Sequence, residues 1–317
     1  MNLTEEEFSE FYCLVDMMKN KGITFVVLDY VLPRDWNMVD TLVVVRNGST
    51  VIEYDKACSQ SEIQRRAVIQ AFSDPYDHMI PHLFNPDMPV VLQFDRLATE
   101  KTRDINLTLH AGEVIAVFSK NHEVEQAFYQ AISGVQNPIG GRILIDGIPV
   151  SAKNRAARIK QGVLSIENRS SGSYSFENMS VFDNYCLPKG LQIPEIWRSF
   201  RYRRFLRAQI DLIFGRSISY KSMQALSPME VQTLKFKSCL LTHPKILVCL
   251  NPFSSVDMQM SIKAHQLIQE IANSGTAVLL LSQYRGTKGV SGIKSYFLDE
   301  QGLITVEDFV EAVILNS

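Results

Sequence analysis

GEVIAVFSKNHEVEQAFYQAISG, residues Gly112 to Gly134, reads as a buried strand, a loop and a helix. Val114 to Phe118 is an unbroken apolar run of strand length, and Glu123 to Ile132 has the spacing of a helix packed on one side. When such a layout holds a phosphate, glycines let successive backbone N–H groups curl around the anion. A lysine then adds positive charge. Here the loop from Ser119 to Glu125 contains no glycine, and carboxylates stand at its end, Glu123 and Glu125.

Around this stretch lies a chain of 317 residues, long enough for one large or two modest domains. It is 46% apolar and 21% charged with a formal net charge of −2, so bulk electrostatics give no reason to expect nucleic acid or an anionic membrane as partner. The longest apolar runs, such as Ala277 to Leu281, are too short to span a bilayer. MNLTEEEF lacks the basic-then-apolar layout of a signal peptide. Cys13, Cys58, Cys186, Cys239 and Cys249 are scattered and form no C-x-x-C pair, which fits reduced thiols in cytosol and argues against a disulfide framework or a zinc site. A cytoplasmic protein without membrane insertion and without a metal site is expected.

Two regions share one order of elements. Phe8, Phe11, Tyr12, Val15 and Met18 give a helix face, Gly22 closes it, and Ile23 to Leu28 is expected as a buried strand. A strand from Thr41 to Val45, the turn Asn47-Gly48 and a strand to Tyr54 follow. Near the other end, Ala264, Leu267, Ile268 and Ile271 give a helix face and Gly275 ends it. Thr276 to Leu281 is a buried strand, and a strand from Ser295 leads through Gln301-Gly302 to Leu303–Val306. The first glycine and the turn glycine are 26 residues apart in one copy and 27 in the other. This is read as a tandem duplication whose first copy lacks its front part. Pro75 to Pro89, with four prolines, is a plausible linker.

The second copy runs Val90–Leu97 (strand), Arg103–Leu109 (strand), Ala111-Gly112 (turn), the opening stretch, and a hairpin from Gly140 to Gly147. Residues 190 to 225 are helical in pattern, with Arg198, Arg201, Arg203, Arg204 and Arg207 read as a solvated face. Pro244 to Leu250 is a buried strand ending at Asn251-Pro252. The class is α/β with an antiparallel portion and a helical insert.

This order of pieces resembles the ATP-binding subunits of ABC transporters, in particular the duplicated ATPases of sugar importers. IENRSSGSY (Ile166–Tyr174) resembles the segment that follows the Q-loop position in their second domains. LSPMEVQ (Leu226–Gln232) sits where the signature belongs, and ILVCLNPFSSVD (Ile246–Asp257) where the Walker B strand and D-loop belong. The resemblance implies a P-loop NTPase-like ABC ATPase domain over residues 88–317, with a helical subdomain at about 174–235. A linker at 73–87 and the C-terminal remnant of a first such domain at 1–72 precede it. The strands of that remnant are expected to pack on the second domain or a partner, leaving an open sheet edge.

Carried over by position, the phosphate-loop glycines become Ser119, His122 and Val124, the lysine becomes Glu125 and the magnesium hydroxyl becomes Gln126. Val124 suits the positive-φ geometry of glycine badly, Glu125 brings the wrong charge, and His122 is read as a surface loop residue. The magnesium-orienting aspartate falls on Leu250 and the catalytic glutamate on Asn251, an amide that cannot act as a general base. Pro228, beside Ser227 in the signature, has no N–H to donate. Gln283 stands at the switch-histidine position, with Tyr30 its counterpart in the front copy. Glu167, Arg169 and Asp257 keep the letters of the Q-loop region and the D-loop.

The expectation is a non-hydrolysing protein of this type with no catalytic residue and no cofactor. It would act as a regulatory or scaffold partner of a sugar importer or sensing system, beside an ABC permease or another ABC ATPase subunit, in the cytoplasm or peripheral at the cytoplasmic face of the membrane. The alternative is a working subunit of a carbohydrate importer, binding ATP and magnesium through Lys120 or Arg169.

Overall fold

The computed structural model describes residues 5–28, 36–46, 49–71, 84–150, 154–167, 176, 178–190, 200–253, 258–283 and 293–305. They fall into two compact units, one holding the elements up to residue 71 and the other those from residue 84 onward.

In the first unit, α1 (Glu5–Lys19) ends at a turn where Gly22 takes φ +83°, the left-handed region that glycine enters without penalty. β1 (Thr41–Arg46) and β2 (Ser49–Asp55) form an antiparallel hairpin, packed on α2 (Ser61–Ala71) through Val44, Tyr54 and Val68. Trp36 stands edge-on to Tyr54 at 5.1 Å and closes this small core. The turn residues Asn47 and Gly48, like Tyr30, lie outside the described residues. One expectation is corrected here. Ile23 to Leu28 is neither buried nor a strand: Val26 is 85% and Leu28 93% exposed, and among the described residues β1 and β2 pair only with each other. A strand exists only where a neighbour supplies the ladder hydrogen bonds, and the apolar run alone cannot provide them.

Among the described residues the second unit holds two sheets. The larger has the order β12-β11-β5-β10-β9-β8, built from β5 (Val114–Ser119), β8 (Val163–Glu167), β9 (Ile246–Leu250), β10 (Ala277–Gln283), β11 (Lys294–Leu298) and β12 (Leu303–Thr305). All its pairs are parallel except the β11–β12 hairpin. β5, β8 and β9 are buried along their whole length, as the apolar runs Val114–Phe118 and Ile246–Leu250 require of the first and last of them. The smaller sheet, order β4-β3-β6-β7, is antiparallel and comprises β3 (Val90–Ala98), β4 (Ile105–His110), β6 (Gly140–Ile145) and β7 (Ile148–Pro149). β4 alternates buried and exposed positions, the mark of a sheet with one wet face. Leu92, Phe94 and Leu107 from this sheet join Ile115, Val117 and Leu279 from the other, with Phe128 of α3 (His122–Ser133), in one core.

A short helix, α4 (Arg155–Lys160), precedes β8. A separate cluster joins α5 (Val181–Gly190), α6 (Phe200–Phe214) and α7 (Pro228–Thr242) through Val181, Phe182, Leu206, Ile210 and Leu234. The helical expectation for residues 190–225 is corrected: α6 stops at Phe214, and residues 191–199 lie outside the described set. Asp211 is the cause. Its carboxylate accepts from the N–H groups of Ile218 and Ser219, both at 2.9 Å, and so fixes a loop after Gly215. Burial works to raise the Asp211 carboxyl, but these two donors together with the hydroxyls of Ser219 and Ser217 outweigh it and hold the group below its ordinary value. Of the arginine run, Arg203 and Arg204 are exposed, while Arg207 lies between the rings of Phe182 (4.5 Å) and Tyr220 (4.4 Å). A further long helix, α8 (Met258–Asn273), leads into β10.

The thiols divide accordingly. Cys13 is exposed, Cys58 and Cys186 are partly so, and Cys239 and Cys249 are buried. Burial pushes both buried thiols well up from their ordinary value. A thiol-specific reagent followed by mass spectrometry is expected to modify Cys13, Cys58 and Cys186 in native protein. Cys239 and Cys249 should react only after denaturation.

Candidate functional site

Four parallel strands, β5, β10, β9 and β8, bring their C-terminal ends to one edge, the place where open α/β sheets bind ligands. Register sets Ser119 beside Gln283, Leu250 beside Leu281, and Glu167 beside Leu250. The residues singled out from sequence on these strands therefore converge, because each follows or ends an apolar run of the same sheet.

The connection after β5 is shorter than expected. Ser119 is buried, and its hydroxyl both donates to the carbonyl of Asn121 (3.1 Å) and accepts from the Asn121 N–H (3.2 Å). Asn121 then caps α3, its side-chain oxygen accepting from the N–H of Glu123 at 2.9 Å. The Glu125 N–H donates to the Asn121 carbonyl at 3.3 Å. Helix thus begins at His122, and only Lys120 and Asn121 separate it from the strand. Val124 has helical conformation and is fully buried, so the glycine-like geometry considered for it does not arise.

His122 is corrected as well. It is the first residue of α3 rather than a surface loop residue, and its Nδ1 lies 3.6 Å from the Glu125 carboxylate. Glu125 itself is 1% exposed. Gln126 is partly buried in the same first turns of the helix. Glu125 thus stands within the first turns of the helix, at the positive end of its dipole.

At the end of β9, Asn251 takes φ +50°, a left-handed conformation that asparagine tolerates better than most residues. Its N–H donates to the Leu281 carbonyl at 2.7 Å, and its side-chain oxygen accepts from the Gln283 N–H at 3.3 Å. The amide therefore ties the tips of β9 and β10 together. Pro252 accepts from Gln232 of α7 at 2.8 Å, and Phe253 stacks on His265 at 4.0 Å. Glu167 is buried at the tip of β8. Burial pushes the Lys235 ammonium of α7 below its ordinary value, and the charge of Glu167 opposes that shift.

Ser227 is the N-cap of α7. It shares a capping box with Glu230, accepting from the Glu230 N–H at 3.3 Å while its own N–H donates to the Glu230 carboxylate at 2.8 Å. Pro228 occupies the first helical position, where a missing N–H costs least. Arg169 and Asp257 lie outside the described residues. Sequence reasoning missed Asn121, Gln232 and Lys235. Asparagine just ahead of a helix with acids in its first turn was a readable cap signal. Gln232 and Lys235 carried no such sign.

The fold defined by these elements is that of an ABC ATPase cassette. The ADP conformation of an ATP-binding cassette of an ABC transporter matches with a TM-score of 0.56 at 15% identity, over 71% of this chain and 98% of that one. A nucleotide-free ATP-binding cassette from an ABC transporter matches with a TM-score of 0.55 at 16% identity, over 71% and 95%.

Among characterised sequences, this chain is homologous to the ribose import ATP-binding protein RbsA of Corynebacterium glutamicum. The two are 24% identical over 284 residues, which is 88% of this chain and 53% of that protein. The namesake of Geobacillus kaustophilus is 24% identical over 291 residues, 88% of this chain and 57% of that one. A putative ribose/galactose/methyl galactoside import ATP-binding protein of Burkholderia cenocepacia is 24% identical over 289 residues, 88% and 54%. The chain thus spans about half the length of the curated relatives it matches. No protein-family model matches it.

Proposed function

We propose that this chain is a non-hydrolysing relative of the sugar-import ATP-binding proteins that acts by binding. It serves as a regulatory or scaffold partner of a carbohydrate ABC importer or sensing system, at the cytoplasmic face of the membrane. Its partner is a permease or another ABC ATPase subunit. Among the described residues no helix is long and apolar enough to cross a membrane.

The observation that carries the reading is the buried carboxylate of Glu125, at the position where the family's pattern has a lysine. A unit charge pair about 4 Å apart is worth roughly 4 kcal/mol at an effective dielectric near 20, and exchanging attraction for repulsion removes several powers of ten in affinity. The N–H groups of Glu123 and Glu125, which a phosphate would need, are already taken by Asn121. Leu250 offers no oxygen to the water shell of magnesium, and Asn251 holds two strand tips together without a basic atom to activate water. These residues do not fit a magnesium triphosphate.

Isothermal titration of the purified chain with ATP and magnesium is expected to give no saturable heat below millimolar nucleotide. Phosphate release should stay at the level of a no-protein blank, with an importer ATPase as positive control. Micromolar binding with turnover overturns the proposal.

A further inference from the structure

Four arginines and a single carboxylate, Asp211, stand among the fifteen residues of α6. The net charge of −2 for the whole chain hides this local excess. One side of the helix is accounted for, since Leu206 and Ile210 join the helical cluster with Phe182 and Leu234. The other side is not what a merely solvated helix carries. Phe205 is 57% and Leu212 75% exposed, on one stripe with the exposed Ala208 between them. At about 3.6 residues per turn, Arg204 borders that stripe, and Arg203 and Arg207 continue the arc beyond it.

The acids that could neutralise these cations are engaged elsewhere or few. Asp211 accepts from the N–H groups of Ile218 and Ser219, and Asp183 reaches Arg203 at 3.9 Å. Among the described residues no carboxylate pairs with Arg204 or Arg207, whereas the nearby Arg216 is paired with Glu230 at 2.6 Å. Arg207 is moreover ordered in advance. Its guanidinium lies between the rings of Phe182 and Tyr220, its Nε is buried without a hydrogen-bond partner, and Tyr220 is 70% exposed. A guanidinium held by its flat faces keeps its donors at the edge, the arrangement that receives phosphate oxygens. A tyrosine with one wet end suits the depth of lipid headgroups.

This combination separates two kinds of partner. A protein groove that seats a helix reads large apolar side chains at i, i+3 or i+4 and i+7. Here the middle place holds Ala208, and Arg204 stands on the same ridge. A bilayer surface needs no matching pocket: a few apolar side chains enter it while cations stay at phosphate depth. We infer that the exposed face of α6 binds an anionic membrane surface, with Phe205 and Leu212 inserted and Arg204 and Arg207 on lipid phosphates. This contact rests on the proposed function only for the membrane being within reach, since neither permease nor nucleotide takes part in it.

The test is co-sedimentation of the full chain with vesicles of equal parts phosphatidylglycerol and phosphatidylcholine, and with vesicles of phosphatidylcholine alone. Saturable binding to the anionic vesicles is expected, about tenfold or more tighter than to the neutral ones and weakened by salt. Arg204→Glu and Leu212→Gln change exposed positions, so circular dichroism should be unaltered while affinity falls by about fivefold in each. Lys160→Glu makes the same change of charge at an exposed position of α4 and should bind as the original chain does. Absence of binding to anionic vesicles overturns the inference and leaves this face to an acidic protein. Variants on α6 that bind like the original chain overturn it too, as do equal losses in Arg204→Glu and Lys160→Glu, which would mark a response to overall charge. None of these failures touches the non-hydrolysing role, which the nucleotide titration tests separately.

Discussion

Glu125→Lys is expected to lose about 3–5 kcal/mol of stability and to gain no affinity for ATP. The side chain at this position is 1% exposed, lies in the first turns of α3 and has the His122 ring 3.6 Å from its carboxylate. A carboxylate there is favoured by the positive end of the helix. An ammonium would meet that end with the wrong sign, far from the water that would otherwise solvate it. The substitution that restores a phosphate-loop lysine on paper is therefore the one the fold accepts least. Glu125→Gln keeps shape and removes only charge, so it is expected to lose no more than about 1–3 kcal/mol. Urea denaturation compares the three proteins, and calorimetric titration follows nucleotide. A lysine variant of unchanged stability that bound ATP would mean that the loop is one residue from a working phosphate site.

Gly141→Ala is expected to cost a similar amount by a steric route. Gly141 holds φ +72°, and an alanine Cβ would lie 2.1 Å from the Arg96 carbonyl oxygen, 2.4 Å from its carbon and 2.6 Å from the Leu97 nitrogen. These are backbone atoms of β3, which cannot swing aside as a side chain would. They belong to an irregular stretch where the β3–β6 register shifts between Asp95 and Ala98. The left-handed conformation costs roughly 1–2 kcal/mol for any residue with a Cβ, and overpacking adds about 1–3 kcal/mol. Gly147→Ala is the matched control. Its φ is +76° but no atom lies within 4 Å of the added methyl, so only the conformational part is expected. Urea midpoints for the two variants should differ by the overlap contribution alone, and equal midpoints would show that β3 gives way without loss.

Much of the second unit was legible in sequence because its signals are physical and local. The runs Val114–Phe118, Ile246–Leu250 and Ala277–Leu281 are apolar throughout, and only the middle of a parallel sheet buries both faces of a strand. The glycines at turns, Gly112 and Gly275 among them, marked where chain direction changes. Ile23–Leu28 carries the same apolar signal and takes no strand conformation, because pairing is a property of two segments and periodicity describes one. The start of α3 was misplaced for a different reason. Its helical spacing put the start at Glu123, one residue from His122, but the loop carried over from the family pattern reached Glu125, where Asn121 has already capped the helix. At the sheet edge, the positions of Ser119, Glu167, Asn251 and Gln283 followed from strand ends alone. That Asn251 spends its side chain on the backbone of Gln283, and that Lys235 faces Glu167, depends on helix packing that no local pattern encodes.

The cap that Asn121 places on α3 has a consequence for how the chain behaves in a cell. A loop shaped by an anion gains folding free energy as that anion becomes abundant, through mass action. Asn121 and Ser119 close this connection with the chain's own atoms, and on the function proposed above no such contribution enters at this point. On the proposed reading, the amount of folded protein stays level between feast and starvation, a useful property for a component that must be present whether or not its neighbours are energised.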